Sequence, residues 1–314
     1  MPPSFIELIG CERPIQLAGM GGGLSDFGLA AAVCDAGGLG MLSGAGAPPS
    51  GIEQLADAIS NRTTRPFGVN FLMPFLDRDA VVAAASRCRL VEFFYADPDA
   101  ALVDLVHAGG ALASWQVGSA DEARAAADAG CDLVIAQGTE AGGHVRGTKA
   151  LTDVLAETLA AVSVPIVAAG GIGNAIQVRN VIDAGASAVR VGTRFLAANE
   201  STAHPDYVDA LIASSADDTV LTETFSVGWP DAPHRVLRSS VEAAERCTDD
   251  IVATATANGE EFPVPRFSPN PPSKTTTGNI DAMALYAGTS VADVRSQQSV
   301  ADIVAELCSR LSAN

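Results

Sequence analysis

Over the first two thirds of the chain, apolar residues fall in short unbroken runs rather than in alternation with polar ones. The runs are Ile15–Ala18, Leu39–Ser43, Phe67–Asn70, Leu90–Phe94, Ala111–Trp115, Leu133–Ala136, Ile166–Ala169 and Ala188–Val191. A run without alternation suits a strand buried on both faces, as in a parallel sheet. Helical periodicity occupies the gaps, at Asp26–Ala36, Ile52–Ser60, Arg78–Arg87, Asp99–His107, Ala120–Ala129, Thr152–Ala161 and Ala175–Ala184. Four helices close on Ala-Gly just before the next run: Ala36-Gly37, Ala108-Gly109, Ala129-Gly130 and Ala184-Gly185. Glycine there takes the left-handed conformation that ends a helix without a Cβ penalty. Run starts lie roughly 21 to 33 residues apart, the span of one βα unit. Eight such units predict an α/β fold of the (β/α)8 TIM-barrel type, with a doubly wound open sheet as the alternative.

Past Asn199 the pattern changes. A polar helix candidate (His204–Ser214) is followed by TVLTETFSVGWPDAPHRVLRSS, by a Pro-, Ser- and Thr-rich stretch (Phe262–Gly278), and by an amphipathic helix candidate (Ser299–Leu311). The expected division is a barrel from residues 1–200 and 280–314. Residues 201–279 would form a small subdomain inserted after strand eight, on the active-site side.

Composition adds limits. With 48% hydrophobic and 18% charged residues the chain has ample core, which excludes long-range disorder. Its 314 residues would make about two domains at ~150 each, yet α/β barrels of this length often form one. Lys and Arg number 19 against 37 Asp and Glu, a net charge of −18. Such a chain repels nucleic-acid phosphates and anionic membranes, so neither is an expected partner. Any anionic ligand must be held locally, by backbone amides or a few chosen cations. The six cysteines, 11, 34, 88, 131, 247 and 308, form no C-x-x-C pair and none has a histidine at metal-ligand spacing. They read as reduced, mostly core thiols of a cytoplasmic protein, with no metal site. The start, MPPSFIELIGCERP, has no basic segment leading into an apolar run, so no secretory signal is expected. Phe27–Ala47 is apolar enough to mimic a membrane span, but Asp35 and its glycines fit a helix followed by a strand.

Barrels of this type bind ligands at the carboxyl ends of their strands. Here those ends are rich in glycines and side-chain amides: Ala18-Gly19-Met20-Gly21, Asn70, Gln116, Gln137 running on to Gly142-Gly143-His144, Gly170-Gly171, and Gly192-Thr193. Gly170-Gly171 and Gly192-Thr193 lie on adjacent strands. Their amides and the Thr193 hydroxyl suit a phosphate, although the same glycines also make tight turns. A dinucleotide fingerprint at Gly171-Ile172-Gly173 lacks its third small residue and has no acidic residue for a ribose. His144 follows two glycines past a buried strand and suits proton transfer near neutrality. His107, His204 and His234 read as structural. Glu140, Arg146, Lys149 and Arg190 lie near the rim, where solvated charge is the plainer reading of each.

AQGTEAGGH (Ala136–His144), AAGGI (Ala168–Ile172) and VGTRFLAANES (Val191–Ser201) resemble the nitronate monooxygenase family, formerly 2-nitropropane dioxygenases. GVNF (Gly68–Phe71) and ALYAG (Ala284–Gly288) are similar to it too, so the likeness spans nearly the whole chain. The resemblance implies a (β/α)8 barrel with noncovalent FMN, small-molecule substrates and O2. It would place Ala18, Gly19 and Met20 along the isoalloxazine ring. Asn70, Gln116, Gln137, Gly142 and Gly143 would stand at the flavin. Gly170, Gly171, Arg190, Val191, Gly192 and Thr193 would lie around its phosphate. His144 would be the base. The activity implied is oxidation of alkyl nitronates to a carbonyl compound and nitrite. The alternative is an NAD(P)H-dependent flavin reductase of the enoyl-ACP or quinone reductase type. The chain departs from the family pattern at Gly19, usually proline, at Arg190, usually an amide or apolar residue, and in the extra residue of Val145-Arg146-Gly147. No catalytic signature is legible in GWPDAPHRVLRSS (Gly228–Ser240).

Overall fold

The computed structural model describes residues 3–257 and 259–311. Strands β1 (Ile15–Leu17), β2 (Gly40–Ser43), β3 (Phe67–Leu72), β4 (Leu90–Phe94), β5 (Leu112–Val117) and β6 (Leu133–Gln137) come first. After the short strand β7 (Gly143–His144), which stands outside the barrel, come β8 (Ile166–Ala169) and β9 (Ala188–Val191). The barrel strands form an eight-stranded parallel sheet in the order β1-β9-β8-β6-β5-β4-β3-β2. A parallel bridge from Gln16 to Leu39 joins its two edges, which closes the barrel. Each barrel strand coincides with one of the unbroken apolar runs, and almost every residue in these strands is buried.

Local chemistry starts and stops the helices between them. Asp26, Ser119 and Asn174 cap helix starts through their side chains, and Asn174 forms a reciprocal capping box with Gln177. At the helix ends Gly37, Gly130 and Gly185 have φ of 92°, 96° and 116°. At the fourth, Gly109 stays right-handed and the left-handed residue is Gly110, with φ of 90°. Gly109 packs against Ala85, where a Cβ would stand 2.5 Å from the Ala85 Cβ. The segment that mimicked a membrane span is a nine-residue helix, Phe27–Asp35, followed by β2. Among the described residues no helix is long and apolar enough to cross a membrane.

After the barrel strands the chain builds a second layer over their carboxyl ends. Strands β10 (Thr219–Thr222) and β11 (His234–Leu237) form a three-stranded sheet with β7, in which His234 pairs with His144. Strands β12 (Ile251–Ala257), β13 (Glu260–Pro265) and β14 (Thr277–Gly278) form another. This layer has its own apolar core around Tyr207, Leu211, Phe225 and Val236, which reaches past residue 279 through Ile280, Leu285 and Val291 to Val294. The helix Val300–Cys308 returns to the barrel core. All six cysteines are free thiols, five of them buried.

Candidate active site

The strand ends and the second layer enclose a cavity of about 540 Å³, within the ordinary range for small-molecule and cofactor sites. The rim residues singled out above meet there: Ala18 to Met20, Asn70, Gln116, Gln137, Gly142 to His144, Gly170, Gly171, Arg190, Gly192 and Thr193 all line it. Val191 does not. Successive residues of a strand face opposite sides, so with Arg190 turned inward Val191 is 1% exposed in the packed core.

Ser25 fixes the first turn. Its hydroxyl donates to the Ala18 carbonyl at 2.8 Å and accepts from the Met20 amide at 2.9 Å. Gly19 lets that turn lie against Asn70, because a Cβ there would stand 2.5 Å from the Asn70 Cβ. This contact accounts for a glycine at position 19.

Across the cavity, the loop after β6 packs backbone to backbone on residues 287–289. The Thr289 amide donates to the Glu140 carbonyl at 3.0 Å, and the Gly288 amide donates to Thr193 Oγ1 at 3.0 Å. Thr193 therefore accepts through one lone pair and keeps its own O–H to donate.

Beneath the cavity lies a polar layer inside the barrel. Glu92, in the middle of β4 and 0% exposed, accepts from Asn70 Nδ2 at 2.7 Å and from Gln16 Nε2 at 3.2 Å. Arg190 forms an ion pair with the same carboxylate and donates to Gln116 Oε1. Burial pushes the Arg190 guanidinium down to about 9, which leaves it cationic at neutral pH. Among the described residues Arg190 is the one formally charged side chain lining the cavity, and no carboxylate lines it.

His144 sits at the mouth in an aromatic cage. Its ring stacks on Trp229 with centroids 3.9 Å apart at 21°. It meets Tyr95 edge-on at 5.9 Å and lies 5.2 Å from His234. Tyr95 has φ of 75°, a left-handed conformation that costs a bulky residue roughly 1–3 kcal/mol and that clusters at functional sites. Burial, with His234 adding to it, pushes the His144 imidazole down to about 3, so it is neutral at physiological pH. His234 is satisfied by backbone on both nitrogens, bonding the Ala232 carbonyl at 2.8 Å and accepting from the Phe225 amide at 3.2 Å. Its backbone pairs with that of His144 where β11 meets β7, which positions His144.

Three of the charged candidates are spoken for elsewhere. Glu140 accepts from the Leu151 amide, Arg146 pairs with Asp97 and Glu122, and Lys149 pairs with Glu157. Glu92, Ser25, Trp229 and Tyr95 were not singled out from the sequence. A lone carboxylate inside LVEFF and a tryptophan among glycine and prolines were the available signals.

The cavity suits a polar, anionic cofactor. Gln137 Oε1, His144 Nε2 and Arg190 Nε are buried without a hydrogen-bond partner, and an unmet buried polar group costs about 1–3 kcal/mol. Gly170-Gly171, Gly192 and the Thr193 O–H supply a donor-rich cradle on the same cavity wall.

Comparison with known proteins gives the class. FabK from Thermotoga maritima superposes with a TM-score of 0.79 at 26% identity, over 98% of this chain and 96% of that one. A nitroalkane oxidase from Streptomyces ansochromogenes superposes at 0.76 and 29%, over 96% of each. The protein shares its (β/α)8 barrel with both. The nitronate monooxygenase family model matches residues 3–83 and 74–310, and the chain belongs to that family. A nitronate monooxygenase from Pseudomonas aeruginosa is 32% identical, covering 72% of this chain and 78% of its own length. A (3aS,4S,5R,7aS)-5-hydroxy-7a-methyl-1-oxo-octahydro-1H-indene-4-carboxyl-CoA dehydrogenase is 33% identical in Rhodococcus jostii and 36% identical in Mycobacterium tuberculosis. The match spans 66% of each of these two relatives, just under two thirds of their length.

Proposed function

We propose that the protein binds FMN and oxidises alkyl nitronates with O2 to a carbonyl compound and nitrite. The observation that carries this reading is the charge of the cavity. In a chain of net charge −18, the cavity is lined by one cation and no carboxylate, beside glycine amides. It selects for anions, and both the cofactor phosphate and a nitronate are anions.

Bound FMN would supply the two-electron acceptor. Gly170, Gly171, Gly192 and Thr193 would hold its phosphate, Ala18 to Met20 would flank its ring, and Asn70, Gln116 and Gln137 would present amides to it. His144 would take the α-proton of a neutral nitroalkane at its free Nε2. The imidazolium formed would stand beside the nitronate formed, so each charge compensates the other in a site that disfavours either alone. Trp229 and Tyr95 would keep water from the ring.

Aerobic turnover of a nitronate tests the reaction. Nitrite and carbonyl product should appear in equal amounts with consumption of O2; absence of nitrite would refute it. Cofactor binding is tested separately. Thr193→Val should weaken FMN binding by about 1.5–3 kcal/mol, the worth of a hydrogen bond to a charged group, or roughly 10- to 150-fold in Kd. Quenching of FMN fluorescence measures this, and an unchanged Kd would remove Thr193 from the phosphate site.

A second reading draws on the cavity mouth. Phe75 and Val227 line it and are 40% and 46% exposed, an apolar entrance that would also suit a bulky acyl substrate. An NAD(P)H-dependent flavin reductase, or an enzyme acting on a CoA thioester like that named for the Rhodococcus relative, would use such an entrance.

A further inference from the structure

Beyond giving the cavity its one cation, the buried ion pair under it takes no step in the reaction described above. Taking both Glu92 and Arg190 out of water is costly, and packed apolar residues of similar volume commonly serve a barrel interior as well or better. Here the cost is offset by an ordered set of partners. Asn70 from β3 and Gln16 from β1 donate to the carboxylate, and Gln116 from β5 accepts from the guanidinium. The pair is also directional. Glu92 is wholly buried and does not line the cavity, whereas Arg190 does. Arg190 leaves its own strand end and reaches across the barrel to Glu92 on β4 and Gln116 on β5, not toward Gly170-Gly171 and Gly192 at the ends of β8 and β9. The cavity thus meets the positive end of a fixed dipole, with Nε still unpartnered.

We propose that the Arg190–Glu92 pair sets the electron affinity of the bound flavin. Arg190 presents positive charge to the ring, and Glu92 is a positioning residue that orients the guanidinium and partly offsets its charge. The inference rests on the FMN reading. Uptake of two electrons and one proton leaves the isoalloxazine with one net negative charge. A fixed cation at the ring binds that form more tightly than the neutral oxidised form, which raises the reduction potential. In nitronate oxidation the two electrons come from the substrate and pass on to O2, so the pair favours the first half of the cycle.

Opposite shifts from the two partners test this. The unaltered protein, Arg190→Gln, Arg190→Lys and Glu92→Gln are loaded with FMN, and their midpoint potentials are measured by equilibration with reference dyes. Arg190→Gln should lower the preference for reduced over oxidised FMN by about tenfold or more, ~30 mV for a two-electron couple. Glu92→Gln, which keeps the shape but removes the offsetting charge, should move the potential the other way. Arg190→Lys should stay near the unaltered value. A purely structural role would lower stability in both partners without opposite potential shifts, so equal potentials or shifts of the same sign would overturn the inference. So would an unchanged potential in Arg190→Gln with a raised KM for nitronate, which would make Arg190 a counter-ion to substrate. If Arg190→Gln does not fold, the sign of the Glu92→Gln shift decides alone. Failure of the unaltered protein to take up FMN would overturn the FMN reading and this inference with it; bound FMN with unmoved potentials would overturn this inference only.

Discussion

His144→Asn should lower turnover of a neutral nitroalkane by about 10²- to 10⁴-fold, the usual worth of a positioned general base. It should keep FMN and retain much of the activity on preformed nitronate, whose proton is already gone. The contrast follows from the placement of the ring. His144 is stacked on Trp229, while the proposed phosphate cradle is built from the ends of β8 and β9, where Thr193 accepts from the Gly288 amide. Burial holds the free imidazole near 3, well below its ordinary 6.5. A depressed histidine pKa means that the active neutral form persists as pH falls through 6.5 and is lost only toward pH 3. For the unaltered enzyme, kcat/KM on a neutral nitroalkane should therefore show no inflection from this group between pH 5 and 8. Parallel steady-state assays of the two substrates check the mutational claim. Equal loss on both with flavin retained would make His144 a binding group, and unchanged rates would remove it from catalysis.

Gly171→Val should abolish useful FMN binding, with Kd raised by two orders of magnitude or more. Gly171 has φ of 68°, where a β-branched residue is strained by roughly 1–2 kcal/mol. A Cβ there would stand 2.8 Å from Thr289 Oγ1 and 2.9 Å from the Glu140 Cβ. The side chain would thus strike the wall of the cradle, by way of the two residues that the Thr289–Glu140 backbone hydrogen bond holds together. Overpacking adds about 1–3 kcal/mol, so the apoprotein should also melt several degrees lower. Calorimetry with and without FMN separates the two effects. A near-normal Kd would show that the Gly170-Gly171 turn is not part of the phosphate site.

The barrel is legible because each buried strand is a short apolar run, four of them set off by a helix-ending Ala-Gly, and parallel strands need no alternation. The rim was legible for a related reason: a strand end followed by glycine or an amide has few structural uses. Glu92 was not, because its meaning depends on Gln16, 76 positions away, and on Arg190 from another strand. In sequence it is one charge in an apolar pentapeptide. The family resemblance would put Arg190 around a phosphate, yet its guanidinium reaches across the barrel to Glu92 and Gln116. Trp229 is not legible because its place beside His144 depends on the pairing of β7 with β11, and a two-residue strand leaves no periodicity to read; Tyr95 is one aromatic residue just past β4. GWPDAPHRVLRSS is thereby explained without a catalytic motif: it brings Trp229 onto His144 and His234 opposite it.

Anaerobic mixing of the FMN-loaded protein with a nitronate, and separately with NADH and NADPH, tests the proposed activity most directly. The nitronate should bleach the flavin absorbance within the time of turnover, and neither nicotinamide should do so at a comparable rate. Rapid bleaching by NADH or NADPH with none by nitronate would contradict nitronate oxidation and make the protein a flavin reductase.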